Sequence, residues 1–137
     1  MGKKLRYFNN NQATRAVQEA LDTLQMEFKR NPTVDFEEAI DSIRPLVKVS
    51  SLKFQRKNIM VPQPLNLRQS RRVGISWITD AASSKSKQLT FGERIGQVMM
   101  SILKKDSPLF AKKDNAHKMA LANRSNLNTY DRRIFKF

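Results

Sequence analysis

Cysteine is absent from these 137 residues, so no disulfide or thiolate metal site can form, and the redox compartment leaves no trace. There is one histidine, His117. A zinc site built on it would need carboxylates or water as its other ligands. A catalytic role would need a nucleophile or an orienting acid, and Asp114, three residues earlier, is only a neighbour on a helix face. His117 therefore reads as a surface or half-buried residue stacking on a helix or on RNA. Glycine occurs four times, with no Gly-rich loop to cradle a phosphate. Gly92 and Gly96 fall inside a helical pattern, where close packing explains them better. "SPLF" and "QVMMS" match no cofactor box, and Met99 and Met100 read as core and rim. No apolar run approaches the roughly 20 residues that span a bilayer. The opening "MGKKLRYFNNN" lacks the apolar stretch of a secretory signal and makes a poor amphipathic transit peptide. A targeting segment is expected to be absent or already removed. Nothing here suggests an enzyme, a cofactor, a metal or a small-molecule substrate.

Acidic residues are the other scarcity. The chain has 26 Lys and Arg against 12 Asp and Glu, a net charge of +14. Such an imbalance repels itself in a folded state unless a polyanion screens it. Nucleic acid and an anionic membrane surface are the candidates. The shortage is uneven: between Asp41 and Asp80 there are 38 residues with no carboxylate and eight cations. One acidic patch precedes them, with Asp35, Glu37, Glu38 and Asp41 inside residues 34–52.

What is present is mostly helical periodicity. The length fits one domain over residues 1–137, and the pattern is mainly α: a helical bundle of about five helices with one protruding β-hairpin arm. Ala13, Ala16, Val17, Ala20, Leu21, Leu24 and Phe28 make the first stripe, capped by Asn10 or Asn11 and stopped by Asn31-Pro32. Phe36, Ala39, Ile40 and Ile43 make the second, with Asp35 and Glu38 resembling a capping box and Pro45 as its end. Val73, Trp77, Ile78, Ala81 and Ala82 make the third, with Trp77 as core. Thr90 and Glu93 form a capping box that opens the fourth, with Phe91, Ile95, Val98, Met99, Ile102 and Leu103. The fifth runs from about Ala111 to Arg124. Between the second and third the period changes to two. Residues 46–62 read as a hairpin whose second strand is ended by Pro62 and Pro64. Residues 83–88 look like a solvated linker, and 129–137 like a basic tail.

The cations are more than a solvated face for three reasons. Arg68, Arg71 and Arg72 fall in the first turns of the third helix, where the dipole disfavours them and no acid of that segment offsets them. Lys53, Phe54, Arg56 and Lys57 join charge and one aromatic at a hairpin tip, suited to phosphate contact and stacking on an unpaired base. The excess also spreads over most segments, unlike a single recognition helix. Distributed cations suit a large folded RNA. A free-standing nucleic-acid-binding regulator is the alternative, and it would need a dimer interface and one recognition helix. A membrane-surface protein would need a large apolar face opposite the cations, whereas the stripes here look committed to a core.

Collinear pieces of residues 2–128 resemble the small-subunit ribosomal protein S-seven family. "FEEAIDSIRPLVKVSS" is similar to the family's approach to its β-arm, "IMVPQPL" to the return strand and "WITDAA" to the end of the long RNA-facing helix. "AHKMALANR" is similar to the C-terminal helix, and "GKK" to the basic turn before the family's second helix. The chain departs from the pattern in lacking the basic N-terminal arm and first helix, which suggests a trimmed or partial version. It also lacks the usual glycines at the hairpin tip. Its arginine pair is shifted to Arg71 and Arg72, and Leu121 replaces an acid.

The resemblance implies a structural constituent of the small ribosomal subunit that binds the 3′ major (head) domain of small-subunit rRNA and nucleates head assembly. Implied partners are that rRNA, neighbouring small-subunit ribosomal proteins, mRNA and exit-site tRNA, with no membrane. The implied rRNA contacts are Lys3, Lys4, Arg71, Arg72, Lys112, Lys113, Lys118 and Arg124. The implied arm contacts, near RNA, tRNA and mRNA, are Lys53, Arg56 and Lys57. The drift from bacterial patterns points to the mitochondrial matrix, with the bacterial cytoplasm as the alternative.

Overall fold

The computed structural model describes residues 2–84 and 88–127, and side chains at 11–53, 55–84 and 88–127. The order is α1 (Gly2–Phe28), α2 (Pro32–Ile43), β1 (Val47–Phe54), β2 (Lys57–Pro64), α3 (Leu67–Ser83), α4 (Phe91–Leu103), α5 (Leu109–Ala122) and a 3-10 turn, η1 (Arg124–Asn126). The expected mainly helical fold with a hairpin arm is what forms. The predicted basic tail at 129–137 lies outside the described residues.

α4 is the central helix. It packs against α1, α2 and α3, and Ile95, Val98, Met99 and Ile102 are buried among Ala20, Leu24, Ala39, Ile43 and Ile78. Met100 packs at the edge of this core, so Met99 and Met100 are core and rim as expected. Gly92 and Gly96 lie one turn apart against α1. A methyl on Gly92 would sit 2.6 Å from the Ala16 carbonyl oxygen, and one on Gly96 2.8 Å from Thr23 Cβ. The two helices are therefore in backbone contact, which only glycine allows.

Several local expectations give way. α1 already includes Gly2–Lys4 and passes through Asn10 and Asn11, so neither caps it and "GKK" is no turn. Helix-favouring Lys3, Lys4, Leu5 and Arg6 offset the three weak asparagines. Its end is Phe28, not the Asn31-Pro32 pair. Lys29 adopts φ 53° and donates its N–H to Gln25 O at 2.9 Å, an αL cap. Asn31-Pro32 instead opens α2: the Asn31 side chain accepts the Thr33 N–H, and Pro32 stands where a free N–H would have no partner. Asp35 is thus no cap. It is fully buried, and Arg30 Nε donates to its Oδ1 at 2.7 Å.

The arm is an antiparallel ribbon in register from Val47↔Pro64 to Phe54↔Lys57. Pro62 and Pro64 lie inside β2 and do not end it. The Leu65 N–H donates to Leu46 O, so Leu46 and Leu65 are a hydrogen-bonded pair. Alternation makes Val49↔Pro62 and Val47↔Pro64 non-hydrogen-bonded pairs, where no N–H is required. At the tip, Gln55 takes φ 57°, the sign that a two-residue turn demands at its first central position. The tip can thus close without the family's glycines. α5 begins at Leu109, two residues before the expected Ala111, and Arg124 falls in η1 beyond its end.

Candidate nucleic-acid interface

At the tip of the arm the described side chains face solvent: Lys53, Gln55, Arg56, Lys57 and Asn58 are exposed. Register puts Lys53 opposite Asn58 and Lys57 opposite Phe54. Successive side chains alternate faces, so Lys53 and Lys57 project from opposite faces and Arg56 from the end. A rod with cations on both faces can lie between two phosphate chains.

The root of the arm is held by the helices. Pro45 is buried, and its carbonyl accepts a short hydrogen bond from the hydroxyl of Ser70, itself fully buried on α3. Arg44 Nη1 donates to the same Ser70 oxygen at 3.2 Å. On the return strand, Asn126 Nδ2 donates to Met60 O at 2.8 Å, satisfying a carbonyl that faces away from β1. Val61 and Pro62 are buried between these anchors.

α3 starts with a capping box between Asn66 and Gln69, which sets Arg68, Arg71 and Arg72 in its first two turns. No acid of this segment offsets them, but one from α2 offsets Arg71. Arg71 reaches back to α2, its Nε donating to Asp41 Oδ1 at 3.0 Å and its Nη2 to Oδ2 at 3.3 Å. This two-point hydrogen bond to Asp41 first, and its negative charge second, hold the Arg71 guanidinium's pKa above the ordinary value. Asp41 also lies 3.5 Å from Arg44 Nε. The acidic patch of α2 thus has an internal role. Arg68 and Arg72 are exposed, with no ion pair among the described residues.

The four predicted cations of α5 and η1 divide. Lys112 Nζ lies 5.2 Å above the Trp77 ring, which is half-buried at the edge of the core rather than inside it. Lys113 Nζ donates to Ser42 O at 3.0 Å, capping the C-terminal end of α2 where the dipole is negative. Lys118 and, on η1, Arg124 are exposed. Lys3 and Lys4 have helical backbone in the first turn of α1, and their side chains lie outside those described. His117 is half-buried, and its Nε2 accepts the Leu46 N–H at 3.1 Å.

No sequence signal pairs Arg71 with Asp41, Lys113 with Ser42 or His117 with Leu46, which stand 30, 71 and 71 residues apart. Only Ser70, an uncharged residue where the α3 stripe continues one turn back from Gly74 and Ile78, was open to a periodicity argument. Among the described residues no helix is long and apolar enough to cross a membrane.

A family model described as ribosomal protein S7p/S5e matches residues 7–124. The small ribosomal subunit protein uS7m of Schizosaccharomyces pombe is 39% identical over 115 residues, covering 83% of this chain and 44% of that protein. Its counterpart uS7m of Neurospora crassa is 32% identical over 106 residues, covering 72% of this chain and 34% of that protein. The small ribosomal subunit protein uS7 of Paracoccus denitrificans is 35% identical over 115 residues, covering 82% of this chain and 72% of that protein. The chain therefore spans less than half the length of the two fungal relatives.

Proposed function

The chain belongs to the ribosomal protein S7p/S5e family, and on that premise we propose that it is a structural, non-catalytic constituent of a small ribosomal subunit. Two fungal relatives carry the mitochondrial name uS7m, which supports the mitochondrial ribosome over a bacterial one. Within that particle it binds the head domain of small-subunit rRNA, helps nucleate head assembly and sets its arm near mRNA and exit-site tRNA. The observation that carries this reading is the arm: a ribbon fixed at its root by α3 and η1, with a tip of exposed cations. Among the described residues no side chain pairs with these tip cations, and phosphate is the partner that their charge selects.

Arm contacts are Lys53, Arg56 and Lys57. The rRNA contacts are Lys3, Lys4, Arg71, Arg72, Lys112, Lys113, Lys118 and Arg124, and the geometry ranks them. Arg72, Lys118 and Arg124 are exposed, with no ion pair among the described residues, and meet phosphate directly. Arg71, Lys112 and Lys113 each keep an internal partner and meet RNA with what remains of their donors. Arg68, outside the expected set, joins the exposed group.

The direct experiment is a salt titration of binding to a head-domain rRNA transcript. Log affinity should fall linearly with log salt, with a slope of about −0.7 to −0.9 per phosphate neutralised. Equal affinity for any duplex DNA, or no salt dependence, overturns the assignment.

The Asp41 pair also separates two substitutions that the sequence alone treats as equivalent. Arg72→Glu should weaken rRNA binding with an unchanged melting temperature. Arg71→Glu should weaken binding and also lower the melting temperature, because it sets a second carboxylate against Asp41. Thermal unfolding of both variants checks this, and equal midpoints would remove the pair's structural role.

A further inference from the structure

The innermost pair of the arm is half-made. Leu65 N–H donates to Leu46 O at 2.9 Å. In a regular ladder the Leu46 N–H would donate back to Leu65. It donates instead to Nε2 of His117 on α5, at 3.1 Å. This amide belongs to the residue between buried Pro45, whose carbonyl Ser70 holds, and the first residue of β1. With Ser70 on Pro45 and Asn126 on Met60, it is one of three side-chain contacts among the described residues that tie the backbone at the arm's root and return strand to the helices. An Nε2 that accepts requires a neutral ring with its proton on Nδ1. The chemistry needed at this position is thus a hydrogen-bond acceptor, in a chain with a net charge of +14.

We propose that His117 is a positioning residue for the arm: as an acceptor for the Leu46 amide, just before β1, it sets the direction in which the cationic tip meets RNA. It does not act as an RNA-stacking or phosphate-binding group. The claim rests on the proposed RNA-binding reading of the arm. Its chemical signature is a requirement for an acceptor. Glutamine can supply a carbonyl oxygen at a similar reach, alanine supplies nothing, and lysine supplies only donors and a charge. A phosphate-contacting role would rank these variants the other way, with lysine the best substitute.

The absence of cysteine permits a clean test, since a single Gln55→Cys tether places a hydroxyl-radical probe at the tip alone. With a head-domain rRNA transcript, the parent chain and His117→Gln should cleave one confined rRNA segment. His117→Ala and His117→Lys should lose at least about threefold of that confined cleavage and spread the remainder, with overall affinity changed by less than about threefold, because the tip cations remain. Amide exchange in the free protein gives an independent readout. The Leu46 amide should exchange at least about tenfold faster in His117→Ala and His117→Lys than in the parent, and stay protected in His117→Gln. Lysine preserving the cleavage pattern, or glutamine losing it, overturns the proposal. So does Leu46 exchange that is indifferent to position 117. Failure of the parent chain to bind rRNA would instead overturn the reading in the previous subsection, while the exchange of Leu46 would still decide the contact itself.

Discussion

Alanine at Gly92 should lower the unfolding free energy by about 1–3 kcal/mol, the usual range for forcing atoms into a filled helix contact. The added methyl would lie 2.6 Å from the Ala16 carbonyl oxygen and 2.6 Å from Glu19 Cβ. The first of these is backbone and cannot rotate away. Gly96→Ala should act in the same direction. Its methyl would meet Thr23 at 2.8 Å, and the Thr23 hydroxyl donates to Glu19 O at 2.9 Å, which holds that side chain in place. The sign is informative, because alanine in a helix interior otherwise gains about 1 kcal/mol over glycine. Gly74→Ala is the control. It is buried too, but its methyl would find its nearest neighbours at 3.4 Å, in ordinary contact. Urea unfolding of the three variants should place Gly74→Ala near or above the parent and the other two below it. Stabilisation by Gly92→Ala would mean that α1 and α4 are not in backbone contact.

The second large effect is on binding. Arg56→Glu with Lys57→Glu should reduce affinity for head-domain rRNA about tenfold or more at low salt and lower the magnitude of the salt slope by about 2, one per phosphate contact removed. Both side chains are exposed and neither is tied to the helices, so the melting temperature should not move. If the double variant unfolds the domain, the tip is part of the structure and not a functional protrusion. An unchanged salt slope would remove both residues from the interface.

These two predictions differ in how much of each could be read without coordinates. The four-residue spacing of Gly92 and Gly96 inside an apolar stripe already signals a close helix crossing. Likewise, the switch from period 3.6 to period 2 after Ile43 marks the arm, and the run of cations at 53–57 marks its tip. These signals are local, so they survive in a linear sequence. The boundaries were less legible. Asn10 and Asn11 are good caps in isolation, but α1 continues through them because its neighbours favour helix. Pro62 and Pro64 look like terminators until the register shows that both stand at positions with no ladder bond to lose.

The candidate site divides along the same line. Composition and charge order determined that this chain carries a cationic arm and an arginine-rich helix, because net charge and periodicity are sums over neighbouring residues. Which of those cations remain free for a partner was decided only by the tertiary structure. Folding brings Asp41 of the acidic patch to Arg71, the end of α2 to Lys113 and the Trp77 ring to Lys112. It also turns the lone histidine into the acceptor for the arm's first amide. Each of these pairings joins residues at least 30 positions apart, on different elements. A charge is a property of one residue, whereas its neutralisation depends on what the packing of the helices sets beside it.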